Sequence, residues 1–266
     1  MRTAIIDDIR LAYHDQGQGR PVLFIHAFPL NSAMWQPQFD ALSDQFRPIV
    51  PDLRGFGQSE LGTPPVSLER YGDDLAALLD TLQIDKAAVV GLSMGGYIAF
   101  AMLERLRDRM DALVLADTRA GADSDEAREG RFKNAQLAEQ QGALAVGEPM
   151  LAKLLASGAP DSLRSRVRDI MRANQGDGVA AALRSMAARP DSTALLETVT
   201  VPTLVIVGSE DTITPPKEAH TIHAGIKGSQ LLELPGAGHL SNLEAPGAFT
   251  AALRSFLSGE SAQLPG

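Results

Sequence analysis

Short apolar runs alternate along this chain with stretches whose apolar residues recur at helical spacing. Strand-like runs fall at 9–13, 21–25, 47–50, 87–92, 112–116, 203–208 and 230–234. Between the third and fourth, Tyr71, Leu75, Leu78, Leu79 and Leu82 stand at i, i+4, i+7, i+8 and i+11, which is one face of a helix. The inner strand-like runs are apolar almost throughout. A strand of that kind is covered on both faces, so the pattern predicts an α/β fold with a mostly parallel sheet between helical layers.

The rhythm breaks at residue 118. From there to residue 200 no strand-like run occurs, and helix-like segments follow one another at 125–141, 149–156, 161–173 and 177–188. Asp123 or Ser124 is placed to cap the first, because a short polar side chain satisfies free N–H groups at a helix start. The expected organisation is a sheet core from residues 1–117 and 201–266, with residues 118–200 inserted as a helical cap over the carboxyl edge. No internal repeat is evident, and the one segment expected to be disordered is the tail, 258–266.

The run from Ala87 to Phe100 carries the chemistry. A short apolar strand leads into Gly91-Leu92-Ser93-Met94-Gly95, and an Ala-rich amphipathic helix follows. This strand–turn–helix context identifies a nucleophile elbow, in which a serine sits on a strained turn and its neighbours must be small. A serine hydroxyl needs a base to take its proton and a third group to hold that base. After such an elbow the order is serine, acid, histidine. His239 lies just past the strand at 230–234, in the loop Pro235-Gly236-Ala237-Gly238-His239. His14, His220 and His223 read as surface or packing residues. For the acid, Asp211 and Glu210 both follow the strand at 203–208, and the Gly-x-x-Asp spacing favours Asp211. Asp117, at the end of another strand, is the alternative.

Acyl transfer also needs backbone N–H groups aimed at the developing oxyanion. Met94 follows the nucleophile and supplies one. The loop His26-Ala27-Phe28-Pro29 after the strand at 21–25 supplies the other, from Phe28, since Pro29 has no N–H. His26 is read as a residue that holds this loop.

With these motifs assembled, the chain resembles the α/β-hydrolase superfamily. The loop at His26, the segment Asp52-Leu53-Arg54-Gly55-Phe56-Gly57-Gln58-Ser59, the elbow, the acid and the histidine stand in family order over nearly the whole chain. Within the superfamily it is most similar to bacterial carboxylesterases and 3-oxoadipate enol-lactonases, through Leu115-Ala116-Asp117-Thr118-Arg119-Ala120 and His239-Leu240-Ser241-Asn242-Leu243-Glu244-Ala245-Pro246. The resemblance implies eight strands, the second antiparallel. Ala27 departs from the glycine usual in the family. Serine at the elbow separates the chain from haloalkane dehalogenases and epoxide hydrolases, which place aspartate there.

Composition narrows the alternatives. The chain has 266 residues and a formal charge of −9, which argues against nucleic-acid or acidic-membrane partners. No run reaches the ~18 apolar residues of a membrane span, and the start has no long apolar segment like that of a signal peptide, so a cytoplasmic location is expected. With no cysteine there is no disulfide, zinc–thiolate site or thiol nucleophile. No dinucleotide or Walker pattern appears. The chemistry described needs no metal and no cofactor, and the expected partner is a small-molecule ester. The sequence carries no signal for oligomeric state.

The inserted segment is the handle on substrate. Phe132 is its sole aromatic residue, and its apolar positions include Met150, Met171 and Met186. Methionine and leucine form an adaptable wall, which points to a small-to-medium apolar acyl or alcohol group and loose specificity, although the same side chains also serve to pack helix on helix. Arg164, Arg166 and Arg168 read as a solvated face. Arg119, near a strand end, either holds a substrate carboxylate or pairs with Asp117. The expected function is therefore a carboxylesterase. An enol-lactonase or a cofactor-free perhydrolase uses the same machinery, and a ligand-binding module that keeps the pocket without turnover is the rival of another class.

Overall fold

The computed structural model describes residues 1–259. Eight strands form one sheet: β1 (Arg2–Ile6), β2 (Ile9–Asp15), β3 (Pro21–Ile25), β4 (Arg47–Pro51), β5 (Ala87–Leu92), β6 (Met110–Ala116), β7 (Thr203–Gly208) and β8 (Gln230–Leu234). Their order across the sheet is β1-β2-β4-β3-β5-β6-β7-β8, with β2 antiparallel to both neighbours and every other pairing parallel. The helices are α1 (Gln36–Leu42), α2 (Leu68–Thr81), α3 (Met94–Arg105), α4 (Asp125–Gln141) and α5 (Ala143–Leu154). They continue as α6 (Asp161–Arg172), α7 (Gly176–Ala187), α8 (Pro216–Gly225), α9 (Ser241–Glu244) and α10 (Pro246–Ser258).

Side chains alternate across a strand, and here both faces are buried. Leu23, Ile25, Val89, Leu113, Leu115, Val205 and Val207 form one core with Leu75 and Leu78 of α2, Ile98 and Met102 of α3 and Ile222 of α8. Val22, Phe24, Ala88, Val90, Val114, Leu204 and Ile206 form the other, with Leu42 of α1 and Leu253 and Phe256 of α10. The helical stripe expected from Tyr71 to Leu82 is the buried face of α2, with Leu82 at its C-cap.

Two departures from the sequence reading have simple causes. The strand β1 has an apolar run of only three residues, Ala4 to Ile6, and is an edge strand whose Arg2, Thr3 and Ile5 face solvent and which pairs with β2 alone. The second inserted helix begins at Ala143, ahead of Pro149, which lies inside it. The other three inserted helices fall within one residue of expectation, and Ser124 accepts a hydrogen bond from the Ala127 N–H as the cap of α4. The α10 helix ends at Ser258, and the rest of the tail expected to be disordered lies outside the described residues.

The inserted helices α4–α7 meet loops at the carboxyl ends of the strands. Asn174 bonds to Pro29 after β3 and to Gly57 after β4, and the Leu154 carbonyl accepts from the Leu240 N–H after β8. Open α/β sheets place ligand sites at this edge. Among the described residues no helix is long and apolar enough to cross a membrane.

Candidate active site

Ser93 stands between β5 and α3 with φ 57° and ψ −113°, a conformation that L-residues avoid. Backbone contacts enforce it. The Ser93 N–H donates to the Ala116 carbonyl at 2.9 Å, and the Thr118 hydroxyl donates to the Ser93 carbonyl at 2.8 Å. Side chains are excluded on all sides: a Cβ on Gly91 would strike Gly95, one on Gly95 would strike the Ile25 carbonyl, and one on Gly96 would strike Thr118. The turn is therefore held by its neighbours and projects Oγ towards His239.

His239 Nε2 lies 2.9 Å from Ser93 Oγ, and its Nδ1 lies 2.8 Å from Asp211 Oδ2. All three residues are buried, with Ser93 the most open at 7% exposure. Asp211 receives two backbone N–H groups on Oδ1, from Ile213 at 2.8 Å and Thr214 at 3.0 Å. Its Oδ2 accepts from the Thr214 hydroxyl at 2.6 Å as well as from His239. Burial pushes its pKa up, but the hydrogen bonds and charge of His239 and the bonds from Thr214 outweigh burial, so the carboxyl is held below the usual range. A carboxylate only accepts, so the proton between it and His239 sits on Nδ1, which leaves Nε2 free to accept from Ser93. The loop carrying His239 is anchored by Glu244, whose carboxylate accepts from the Gly238 N–H at 2.9 Å and the Ala156 N–H at 2.8 Å.

Met94 is the first residue of α3, so its N–H is one of the groups a helix start leaves open. Neither that N–H nor the Phe28 N–H donates to another group among the described residues. His26 fixes the Phe28 loop. Its Nε2 accepts from the Leu53 N–H at 3.1 Å and its Nδ1 lies 3.1 Å from the Ala27 carbonyl. That pattern requires neutral imidazole. Burial drives its pKa down from 6.5 to about 4, against smaller opposing effects of the Ala27 carbonyl and Asp52. Between those two values the unfolded chain binds a proton that the folded chain refuses, so stability falls as pH falls. The loss contributed by this residue is expected to reach about 3 kcal/mol between pH 7 and 4. Urea unfolding of wild type and His26→Gln across this range checks it, and an equal acid slope in both would refute the assignment.

The other residues singled out in the sequence fall elsewhere. Arg119 does not pair with Asp117. Its guanidinium donates to the Ile213 carbonyl, and it lines a small cavity with Tyr97, Phe100 and Arg189 that includes neither Ser93 nor His239. Asp117 accepts from the Gly208 N–H at 2.8 Å and from the Ser241 hydroxyl, and so ties together the ends of β6, β7 and α9. Burial, with the charge of Asp211 adding to it, raises its pKa well above the usual range. Glu210 is exposed. Met171 and Met186 are buried within helix contacts, Met171 against Gly147 and Met186 against Arg131. Met150 is half-buried and touches both cores. His220 pairs with Glu233, His223 with Ser229, and His14 packs edge-on against Phe39. Among the described residues no three His, Asp or Glu side chains gather as metal ligands would.

Comparison with known proteins agrees with the fold. A family model described as the alpha/beta hydrolase fold matches residues 20–246. The 3-oxoadipate enol-lactonase 2 of Acinetobacter baylyi is 30% identical over 96% of both chains. Among solved structures, a thermophilic esterase from Thermogutta terrifontis superposes with a TM-score of 0.95 at 40% identity, over 97% of this chain and 99% of the other. The enol-lactonase of Burkholderia xenovorans LB400 does so with a TM-score of 0.90 at 29% identity, over 97% and 100%. By its sheet, its elbow and the extent of these matches, the chain belongs to the α/β-hydrolase fold family.

Proposed function

We propose that the chain is a carboxylesterase that cleaves short-chain carboxylic esters through an acyl-enzyme. The observation that carries the reading is the hydrogen-bonded line Ser93–His239–Asp211, at 2.9 and 2.8 Å, together with the Phe28 and Met94 N–H groups, which have no acceptor among the described residues. Ser93 Oγ attacks the ester carbonyl while His239 Nε2 takes its proton. The N–H groups of Phe28 and Met94 receive the oxyanion, with the α3 start adding its partial positive charge. His239 then protonates the leaving alkoxide. In the second half-reaction it activates a water that releases the acid, and Asp211 stabilises the imidazolium in both halves.

Residues 118–200 act in this reading as a cap over the site. The aromatic-poor insertion, with Met150 between the two cores, suits acyl chains of about two to six carbons, since each methylene that the pocket buries gains ~0.8 kcal/mol. An enol-lactonase is the second reading, supported by the Acinetobacter baylyi and Burkholderia xenovorans proteins. Hydrolysis of p-nitrophenyl acetate and butyrate, set beside that of an enol-lactone, decides between them. Multiple turnovers on the neutral esters, with kcat/KM above that for the lactone, are expected. Preference for the lactone would replace the substrate class and keep the mechanism, and no turnover on either would leave a binding module.

A further inference from the structure

One side chain of the inserted segment reaches across to the loop that carries Phe28. Asn174 follows α6 and is buried. Its Nδ2 donates to the Pro29 carbonyl at 2.8 Å and to the Ile170 carbonyl at 3.3 Å. Its Oδ1 accepts from the Gly57 N–H at 2.8 Å and from Asn31 Nδ2 at 3.1 Å. An asparagine amide offers two donors and two acceptor lone pairs, and all four are used. Asn31, bound on that side, in turn accepts from the Ala33 N–H and so starts the short helical turn that closes the loop.

The junction is close on the backbone as well. Gly178, in the first turn of α7, lies against Gly55, and a Cβ on it would run into the Gly55 carbonyl. Three separate pieces of chain thus meet at one amide: the loop after β3, the loop after β4 and the connection between α6 and α7. The inner side of the Phe28 loop is held by His26 and by Asp52, which accepts from the Ser32 N–H at 2.9 Å. The outer side is held by Asn174.

We propose that Asn174 is a positioning residue for oxyanion stabilisation, setting the direction of the Phe28 N–H from within the inserted helices. The assignment rests on the acyl-transfer reading above. Asn174 touches no reacting atom. It orders the Pro29 carbonyl and Asn31, and thereby the turn from which the Phe28 N–H projects. A donor displaced by a fraction of an ångström binds an ester carbonyl almost as before but stabilises a tetrahedral oxyanion less well. The loss therefore falls on kcat and on the affinity for tetrahedral adducts, with KM little changed.

The test compares wild type, Asn174→Ala, Asn174→Asp and Ser185→Ala in hydrolysis of p-nitrophenyl butyrate and in inhibition by a butylboronic acid, which forms a tetrahedral adduct on serine. Asn174→Ala is expected to lower kcat about tenfold or more, hold KM within about threefold, and weaken boronate inhibition by the same factor as kcat. Asn174→Asp is isosteric but cannot donate to the Pro29 carbonyl as a carboxylate, so it is expected to behave alike, and it keeps the test open if the alanine variant folds poorly. Ser185→Ala removes a different buried link between insertion and core, the bond from its hydroxyl to the Val66 carbonyl at 3.1 Å. It is expected to lower Tm while kcat stays within about twofold. Unchanged kcat in folded Asn174 variants, or equal loss in Ser185→Ala, would overturn the assignment alone. A wild type inert towards the ester would overturn the acyl-transfer reading and this assignment with it.

Discussion

A Ser93→Ala protein is expected to fold as the parent does and to lose kcat on p-nitrophenyl butyrate by about 10⁴- to 10⁶-fold, because members of a nucleophilic triad fail as a unit. The substitution removes Oγ and leaves the backbone alone. The bonds from Ser93 N–H to Ala116 and from Thr118 to the Ser93 carbonyl involve no Ser93 side-chain atom, so the turn stays in its strained conformation. Ser93→Gly separates the strain from the chemistry. It is expected to be as inactive as the alanine variant yet more stable than it by about 1 kcal/mol, since glycine tolerates φ 57° without the Cβ penalty. His239→Ala is expected to match the loss in activity. His220→Ala and His223→Ala remove only pairings with Glu233 and Ser229, and are expected to be mild. Turnover near wild type by Ser93→Ala, purified free of host esterases, would remove the nucleophile from the mechanism.

The sheet was legible in the chain because burial on both faces leaves an apolar run, and that run sits at β3, β5, β6 and β7 in plain view. The elbow was legible for a different reason. Its backbone tolerates no side chains at three neighbouring positions, and glycine records that constraint. What could not be read was whatever depends on a polar side chain meeting a distant backbone group. Thr118, Asn174 and Glu244 each hold a loop of the site by a hydrogen bond to a backbone group far along the chain, and none has a neighbour in sequence that betrays that partner. Thr118 and Glu244 at least lie inside the segments that carried the resemblance to esterases. Asn174 carried no signal, since an asparagine after a helix is common and its partners in the two loops are 117 to 145 residues away. The methionines were legible in two ways at once. Composition offered Met171 and Met186 as a pocket wall and equally as side chains that fill gaps between helices, and both are buried between helices.

Asp211→Asn is expected to lower kcat by about 10⁴-fold while leaving the fold intact. The reason lies in what surrounds the carboxylate. Oδ1 faces two backbone N–H groups, those of Ile213 and Thr214, which cannot turn away and must find an acceptor. An asparagine at this position therefore puts its carbonyl oxygen there and its NH₂ where Oδ2 was, against the Thr214 hydroxyl and His239 Nδ1. The hydroxyl can rotate to accept. The imidazole responds by moving its proton from Nδ1 to Nε2, where it points at Ser93 Oγ and leaves no lone pair to take the serine proton. Thr214→Val tests the same logic from the other side: it takes one hydrogen bond from Oδ2 without adding a competing donor, and its effect is expected to be at least 100-fold smaller than that of Asp211→Asn. Glu210→Gln changes an exposed side chain and is expected to leave kcat within about twofold. Asp117→Asn disturbs the bonds to Gly208 and Ser241 but no proton on His239, so its cost is expected in Tm before kcat. Steady-state kinetics and thermal unfolding on the four variants read these effects directly. If Asp117→Asn abolished turnover and Asp211→Asn did not, the acid would belong to β6, and the hydrogen bond between Asp211 and His239 would be structural only.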